Sequence, residues 1–198
     1  MIADRLVRTW EILPAGGYST AWTELTGRRL AAHGRAVGLV PEPYWLTYTL
    51  ETGEDYVTSR LRVTTQPGTG SGTGAGTGTR TLDLRNDAGR WIVDGVHRAD
   101  LDGALDCDLG LCPLTNTMPV LRHDLHRSPG AGPHEFLMAW VSVPDLEVSA
   151  SRQTYTPLAP DGHGTRVRFS SGDFHSDIEF DEHGLVLDYP EPATALTR

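Results

Sequence analysis

Positive charge is scarce in this chain. Against 26 acidic side chains stand 17 basic ones, a formal net charge of −9. A nucleic acid or an anionic membrane surface would be approached against an unfavourable field, so neither is expected as a partner. Long apolar runs are missing too. Nowhere do residues of that kind continue for the length of a membrane span, and none of signal-peptide length follows Met1 to Arg5. Neither a spanning nor a secretory segment is expected, and a cytoplasmic location follows from that reading. Cysteine is nearly absent: Cys107 and Cys112 are the whole complement. Five positions apart, they would close a very short loop, a disulfide of little gain that a reducing compartment would not keep. Their spacing fits no closed zinc pattern, and the histidines are scattered, with His123 and His126 on opposite parities of one segment. Both thiols are read as structural, and no metal or other cofactor is expected.

Helix-period patterning is equally sparse. Leu101 to Leu109 has the only spacing compatible with one or two helical turns, and Pro113 and Pro119 forbid a long helix between them. What fills the chain instead is extended sequence. Tyr56 to Gln66 alternates with period two and carries Arg60 and Arg62 opposite Leu61 and Val63. Similar segments run over residues 19–26, 28–40 (interrupted at Gly34 and Gly38) and 44–51, after a short segment, 10–17, that ends in a turn. Thr79 to Arg85 and Arg90 to Asp94 form a hairpin around Asn86-Asp87-Ala88-Gly89. Residues 120–127, 135–143, 146–158, 165–170, 174–181 and 184–189 read as further strands between Gly, Pro or Asp-rich breaks.

About a dozen short strands with connections too brief for crossovers make the fold class all-β, with mostly antiparallel neighbours and little helix. So many strands cannot remain an open flat sheet. A single sheet curled into a half-barrel or spiral β-roll with an apolar interior is expected, and its aromatics either fill that interior or line a cavity in it. One domain over residues 1–198 is expected, since that length suits a single all-β unit able to bury roughly 70% of its unfolded surface. The alternating glycines at about 67–79 read as a flexible loop insertion, because no strand–helix context or lysine makes them a phosphate cradle.

The least ordinary stretch is 105–122: Asp106 and Asp108 flank Cys107, and Thr115-Asn116-Thr117 sits between Pro113 and Pro119, followed by Arg122. This stretch resembles the core of a bacterial family named for glycolipid binding, an Asp-x-Asp-Leu step followed by Thr-Pro-Phe-Thr-Asn-Thr-Leu-Pro-Ile-Arg-Arg-Leu. Trp45 to Val63, Gly89 to Gly95, Val143 to Val148, Gln153-Thr154-Tyr155 and Gly184 to Pro190 match the family in order. Leu121 and His123 depart from it, as does the Leu111-Cys112 pair, so Arg122 alone carries over from the arginine pair. The resemblance implies a curled β-sheet that holds a small amphipathic, glycolipid-like ligand. It also brings Gln153 and Tyr155 into the set of candidate ligand-binding residues.

The residues themselves allow two roles for that stretch. Asp106, Asp108, Thr115, Asn116, Thr117 and Arg122, joined by Arg62, could form a polar network at a pocket mouth that orients sugar hydroxyls or an anionic head group. Alternatively, Thr-Asn-Thr caps backbone groups and Arg122, placed at the start of a strand, neutralises one of the aspartates in a partly buried pair. A small-molecule enzyme using the same cavity is the alternative from another class, with the aspartates as acid and base or a cysteine paired with His123. Against it, the two aspartates are assigned to opposite faces of an extended segment, and no familiar catalytic pattern surrounds either cysteine.

Overall fold

The computed structural model describes residues 3–68, 78–159 and 165–196, which form one curled, mostly antiparallel sheet of 15 strands that is not closed into a barrel. In chain order the strands are β1 (Asp4–Ile12), β2 (Gly17–Thr26), β3 (Arg29–Gly38), β4 (Tyr44–Thr52), β5 (Thr58–Pro67), β6 (Arg80–Asp87), β7 (Arg90–Val93) and β8 (Val96–His97). They continue with β9 (Asp106–Leu109), β10 (His134–Val141), β11 (Val148–Pro157), β12 (Thr165–Ser171), β13 (Phe174–Phe180), β14 (Val186–Tyr189) and β15 (Ala193–Ala195). Across the sheet the order is β8 inward to β1, then β15 back to β9. The chain thus starts in the middle, meanders to one edge, crosses to the other edge and meanders home. Among the described residues, only the β9–β10 pairing is parallel.

Alternation explains the strands. In β4, Tyr44, Leu46, Tyr48 and Leu50 are buried while their neighbours face out, and β2 and β5 repeat the pattern. The breaks at Gly34 and Gly38 are seats for rings. Each lies directly across from a tyrosine, Gly34 from Tyr48 and Gly38 from Tyr44, and a Cβ at either position would run into that ring. The buried indoles are pinned by backbone acceptors, with Trp10 Nε1 donating to the Val186 carbonyl at 2.8 Å and Trp91 Nε1 to that of Ala104 at 2.9 Å.

The curl brings distant strands together. The Thr58 amide on β5 donates to the Leu105 carbonyl at 3.0 Å, Thr65 Oγ1 to the Pro144 carbonyl at 3.2 Å, and Arg98 Nη2 to the Val148 carbonyl at 3.0 Å. Into the concave side goes a short plug: a 3-10 turn Pro113–Asn116, helix α1 (Thr117–Arg122) and a second 3-10 turn, Leu125–Arg127. Leu114, Met118, Val120 and Leu125 are all fully buried there.

Two expectations are corrected in this region. Leu101 to Leu109, read as the helical stretch, is a single 3-10 turn at Ala99–Leu101 followed by strand β9. Residues 120–127, read as a strand, belong to α1 and the turn after it, so Arg122 ends a helix rather than starting a strand. Pro119 is the third residue of α1, within the first turn where no N–H bond is lost. The Gly-rich stretch joins antiparallel neighbours β5 and β6; its residues 69–77 lie outside the described residues.

Candidate functional site

Strand β9 sets two carboxylates side by side. Asp106 and Asp108 pair with Met138 and Trp140 of β10, and residues two apart on a strand share a face. The assignment of the two to opposite faces is therefore corrected; Cys107 is the residue that alternates away. Asp106 is completely buried and is gripped at both oxygens by Arg122, Nη1 to Oδ2 at 2.8 Å and Nη2 to Oδ1. Two further donors of that guanidinium, Nε and Nη2, go to the carbonyls of Asp55 at 2.9 Å and Tyr56 at 3.2 Å. Those two residues hold left-handed φ angles of 55° and 59°, so Arg122 also clamps a turn that the backbone would not favour unaided. Burial pushes the Asp106 carboxyl up and Arg122 pulls it back down.

Among the described residues, no cation reaches Asp108. Gln153 Nε2 donates to its Oδ2 at 2.6 Å and Thr115 Oγ1 to its Oδ1 at 2.9 Å, while the side chain stays partly open. Burial pushes this carboxyl above the ordinary carboxylate range, opposed by those two hydrogen bonds. The network continues outward from there. Tyr155, whose hydroxyl is pushed well up by burial and so remains a neutral donor, gives its proton to Asn116 Oδ1 at 2.9 Å and lies 3.4 Å from Gln153 Oε1. Asn116 Nδ2 in turn donates to the Pro113 carbonyl at 3.3 Å, closing the 3-10 turn on itself. Thr117 is fully buried, and its Oγ1 has no hydrogen-bond partner among the described residues.

Against this network lies a cavity of about 620 Å³. Its wall is largely apolar, built from Leu109, Leu111, Trp140, Phe169, Phe174 and Tyr189, and is interrupted by Asp108, Asn116 and Gln153. Asp106, Thr115, Thr117, Arg122 and Tyr155 stand behind that wall. The sequence reading missed the serines. Ser149 and Ser151 share a face of β11 with Gln153 and line the cavity together with Ser142 and Ser171. A period-two run of small hydroxyls ending in Gln153 and Tyr155 was the available signal.

Arg62 lies apart from this constellation. It is on the outer face of β5, where Asp83 is held by Arg60 Nη2 at 2.6 Å and Arg85 Nη2 at 2.9 Å, with Arg62 Nε at 3.8 Å. The Arg60 and Arg85 guanidinia hold the Asp83 carboxyl far below the usual range. Both cysteines are free and buried. Cys107 Sγ accepts from Thr58 Oγ1 at 3.7 Å, and burial pushes its thiol far up; the Cys112 thiol is pushed up to about 11 by the same cause. Neither supplies a thiolate at neutral pH. His123 packs on His134 and Phe136 with ring centroids 4.9 and 5.3 Å away. Among the described residues, no three His, Cys, Asp or Glu side chains gather as metal ligands, and no helix is long and apolar enough to cross a membrane.

The comparisons with known proteins agree with this architecture. A family model described as "Putative glycolipid-binding" matches residues 7–195. A crystal structure at 1.80 Å resolution of a DUF1089 family protein from Pseudomonas aeruginosa matches with a TM-score of 0.69 and 27% sequence identity. That match covers 89% of this chain and 91% of the other. A search of curated proteins gave no match. With nearly its whole length inside one family model, and with the fold shared by a solved protein, the chain belongs to the "Putative glycolipid-binding" family.

Proposed function

We propose that the protein binds one small amphipathic, glycolipid-like molecule, its apolar part in the cavity and its hydroxyl-bearing end at Asp108, Asn116 and Gln153. One observation carries this reading: a largely apolar cavity of about 620 Å³ into whose wall Asp108, Asn116 and Gln153 enter as one hydrogen-bonded group, Asp108 to Gln153 directly and Gln153 to Asn116 through Tyr155. That size and that segregation suit a molecule with an oily and a polar half. Gln153 and Asn116 each keep a second amide N–H, and Asp108 keeps lone pairs, so vicinal hydroxyls can both donate and accept there. Ser149, Ser151 and Ser171 extend the hydroxyl-matching surface toward the exterior. Arg122 and Asp106 serve from behind the wall, holding β9 and α1 in register so that Asp108 and Asn116 face the cavity.

Titration with a short alkyl glycoside tests it. Gln153→Met keeps side-chain volume but removes the donor to Asp108 and one contact to the ligand. A loss of about 1.5–3 kcal/mol, roughly ten- to a hundredfold in Kd, is expected with the fold intact. An unchanged Kd, or wild-type protein that takes up no alkyl glycoside at all, removes the proposal. Continuous turnover of the glycoside would replace it with the enzyme reading.

A further inference from the structure

At one end of the sheet, beside the cavity mouth, the surface turns apolar. Leu13 is 56% exposed, Leu39 59% and Val40 54%, and all three sit on adjoining loops. The β1–β2 turn and the β3–β4 loop are tied together because the amides of Leu39 and Val40 both donate to the Ala15 carbonyl, at 2.7 and 3.2 Å. Pro14 in the same turn lines the cavity, and the Leu13 amide donates at 3.2 Å to Pro192, another lining residue. One row farther along the strands, Tyr18, Val37 and Trp45 lie side by side on the outer face, with Tyr18 47% and Trp45 57% exposed.

We infer that this end of the molecule docks on an uncharged lipid surface, and that the cavity fills from there; the second half of this statement rests on the function proposed above. Three observations favour lipid over a protein partner or a second copy. The patch is layered, with aliphatic tips outermost and a Tyr–Trp row about 7 Å behind them, two residues along an extended strand, the depth at which amphipathic rings meet head groups. Several of its loop amides are absent or already bonded. Pro14, Pro41 and Pro43 have no N–H, and the amides of Leu13, Gly16, Leu39 and Val40 are bonded internally, so leaving water strands few donors. The local charges include Glu11 across from Tyr18, Glu42 at the tip with the Arg80–Asp145 pair beside it, and Arg35 behind Val37, an acidic balance that disfavours anionic head groups and leaves apolar burial as the attraction.

The test is co-sedimentation with phosphatidylcholine vesicles, together with quenching of tryptophan fluorescence by tail-brominated phosphatidylcholine. Wild-type protein should sediment with the vesicles and be quenched. The double variant L13D/V40D, both changes on exposed side chains outside the cavity wall, should lose at least about tenfold in partitioning. It should keep both its melting temperature and its affinity for the soluble alkyl glycoside. Wild-type protein that ignores the vesicles while binding the glycoside overturns the docking inference alone; vesicle docking without glycoside uptake leaves docking standing and removes the cavity reading. A concentration-dependent dimer abolished by L13D/V40D, in place of vesicle binding, would assign the patch to a second copy of the chain and overturn the inference.

Discussion

Asp106 and Asp108 stand two residues apart on the same face of one strand, yet they live in different chemistry. Asp106 meets a guanidinium that grips both its oxygens and also bonds two backbone carbonyls, has no surface on the cavity, and ties β9 to α1 and to the left-handed turn at Asp55 and Tyr56. Asp108 meets only neutral donors and keeps a face on the cavity. The difference shows how one strand can carry a carboxylate committed to structure beside one left available. A carboxylate whose hydrogen bonds are used up by a buried ion pair can do little except fix geometry, whereas one left half-satisfied beside an apolar space has capacity for a guest.

The comparison breaks most visibly at Arg122. Arg122→Met removes the cation and strands a buried carboxylate, and a loss of about 3–5 kcal/mol is expected, roughly 6–20 °C in Tm for a chain of this size. Adding Asp106→Asn to that variant should return much of the loss, whereas adding Asp108→Asn should return little. Calorimetry of the three variants decides it, and equal rescue by both aspartate changes would erase the distinction drawn here.

A smaller effect should follow pH. Because burial raises the folded-state pKa of Asp108, the folded protein binds its proton more tightly than the unfolded chain does. That contribution to stability is complete below the unfolded carboxylate value, about 3.9, and is lost as pH rises through the higher folded value. Asp108→Asn removes the titration. Its stability relative to wild type should therefore improve between pH 4 and pH 8, which denaturant midpoints across that range would register. A relative decline over the same window would mean that Asp108 is held ionised by something other than Gln153 and Thr115.

The smallest change is expected far from both carboxylates. Removing residues 69–77 shortens the connection between two strands already paired in antiparallel fashion, and loop-closure entropy varies slowly with length. Stability should shift by less than about 1 kcal/mol, as read by urea unfolding. A loss of several kcal/mol would give that stretch a structural part.

Much of the sheet was legible because half-buried strands write their period of two into the chain, as β4 and β5 do. The plug was not. Val120 favours a strand by propensity, but it and Leu121 are buried inside the curl, where packing against the sheet decides. Strand β9 was hidden because two of its four residues are aspartates: Asp106 is inside on account of Arg122, sixteen residues away, and no local pattern records that partner. Asp108, Asn116, Gln153 and Tyr155 were each singled out in advance, and the structure joins them through hydrogen bonds. Arg62 was joined to them by its charge alone, and its strand register turns it outward to Asp83 instead.

The sheet's order has a consequence for folding. Strands β1 to β8 form one meander of near neighbours and β10 to β15 another, so most pairing is local and quick. The seam between them is short, with Trp10, Glu11 and Ile12 set against Ala195, Thr194 and Ala193. Ile12 and Ala193 also line the cavity, together with Tyr189 from the second meander. A guest in that space would touch both meanders where they meet, so that occupancy and closure of the seam would be linked equilibria, each drawing the other forward.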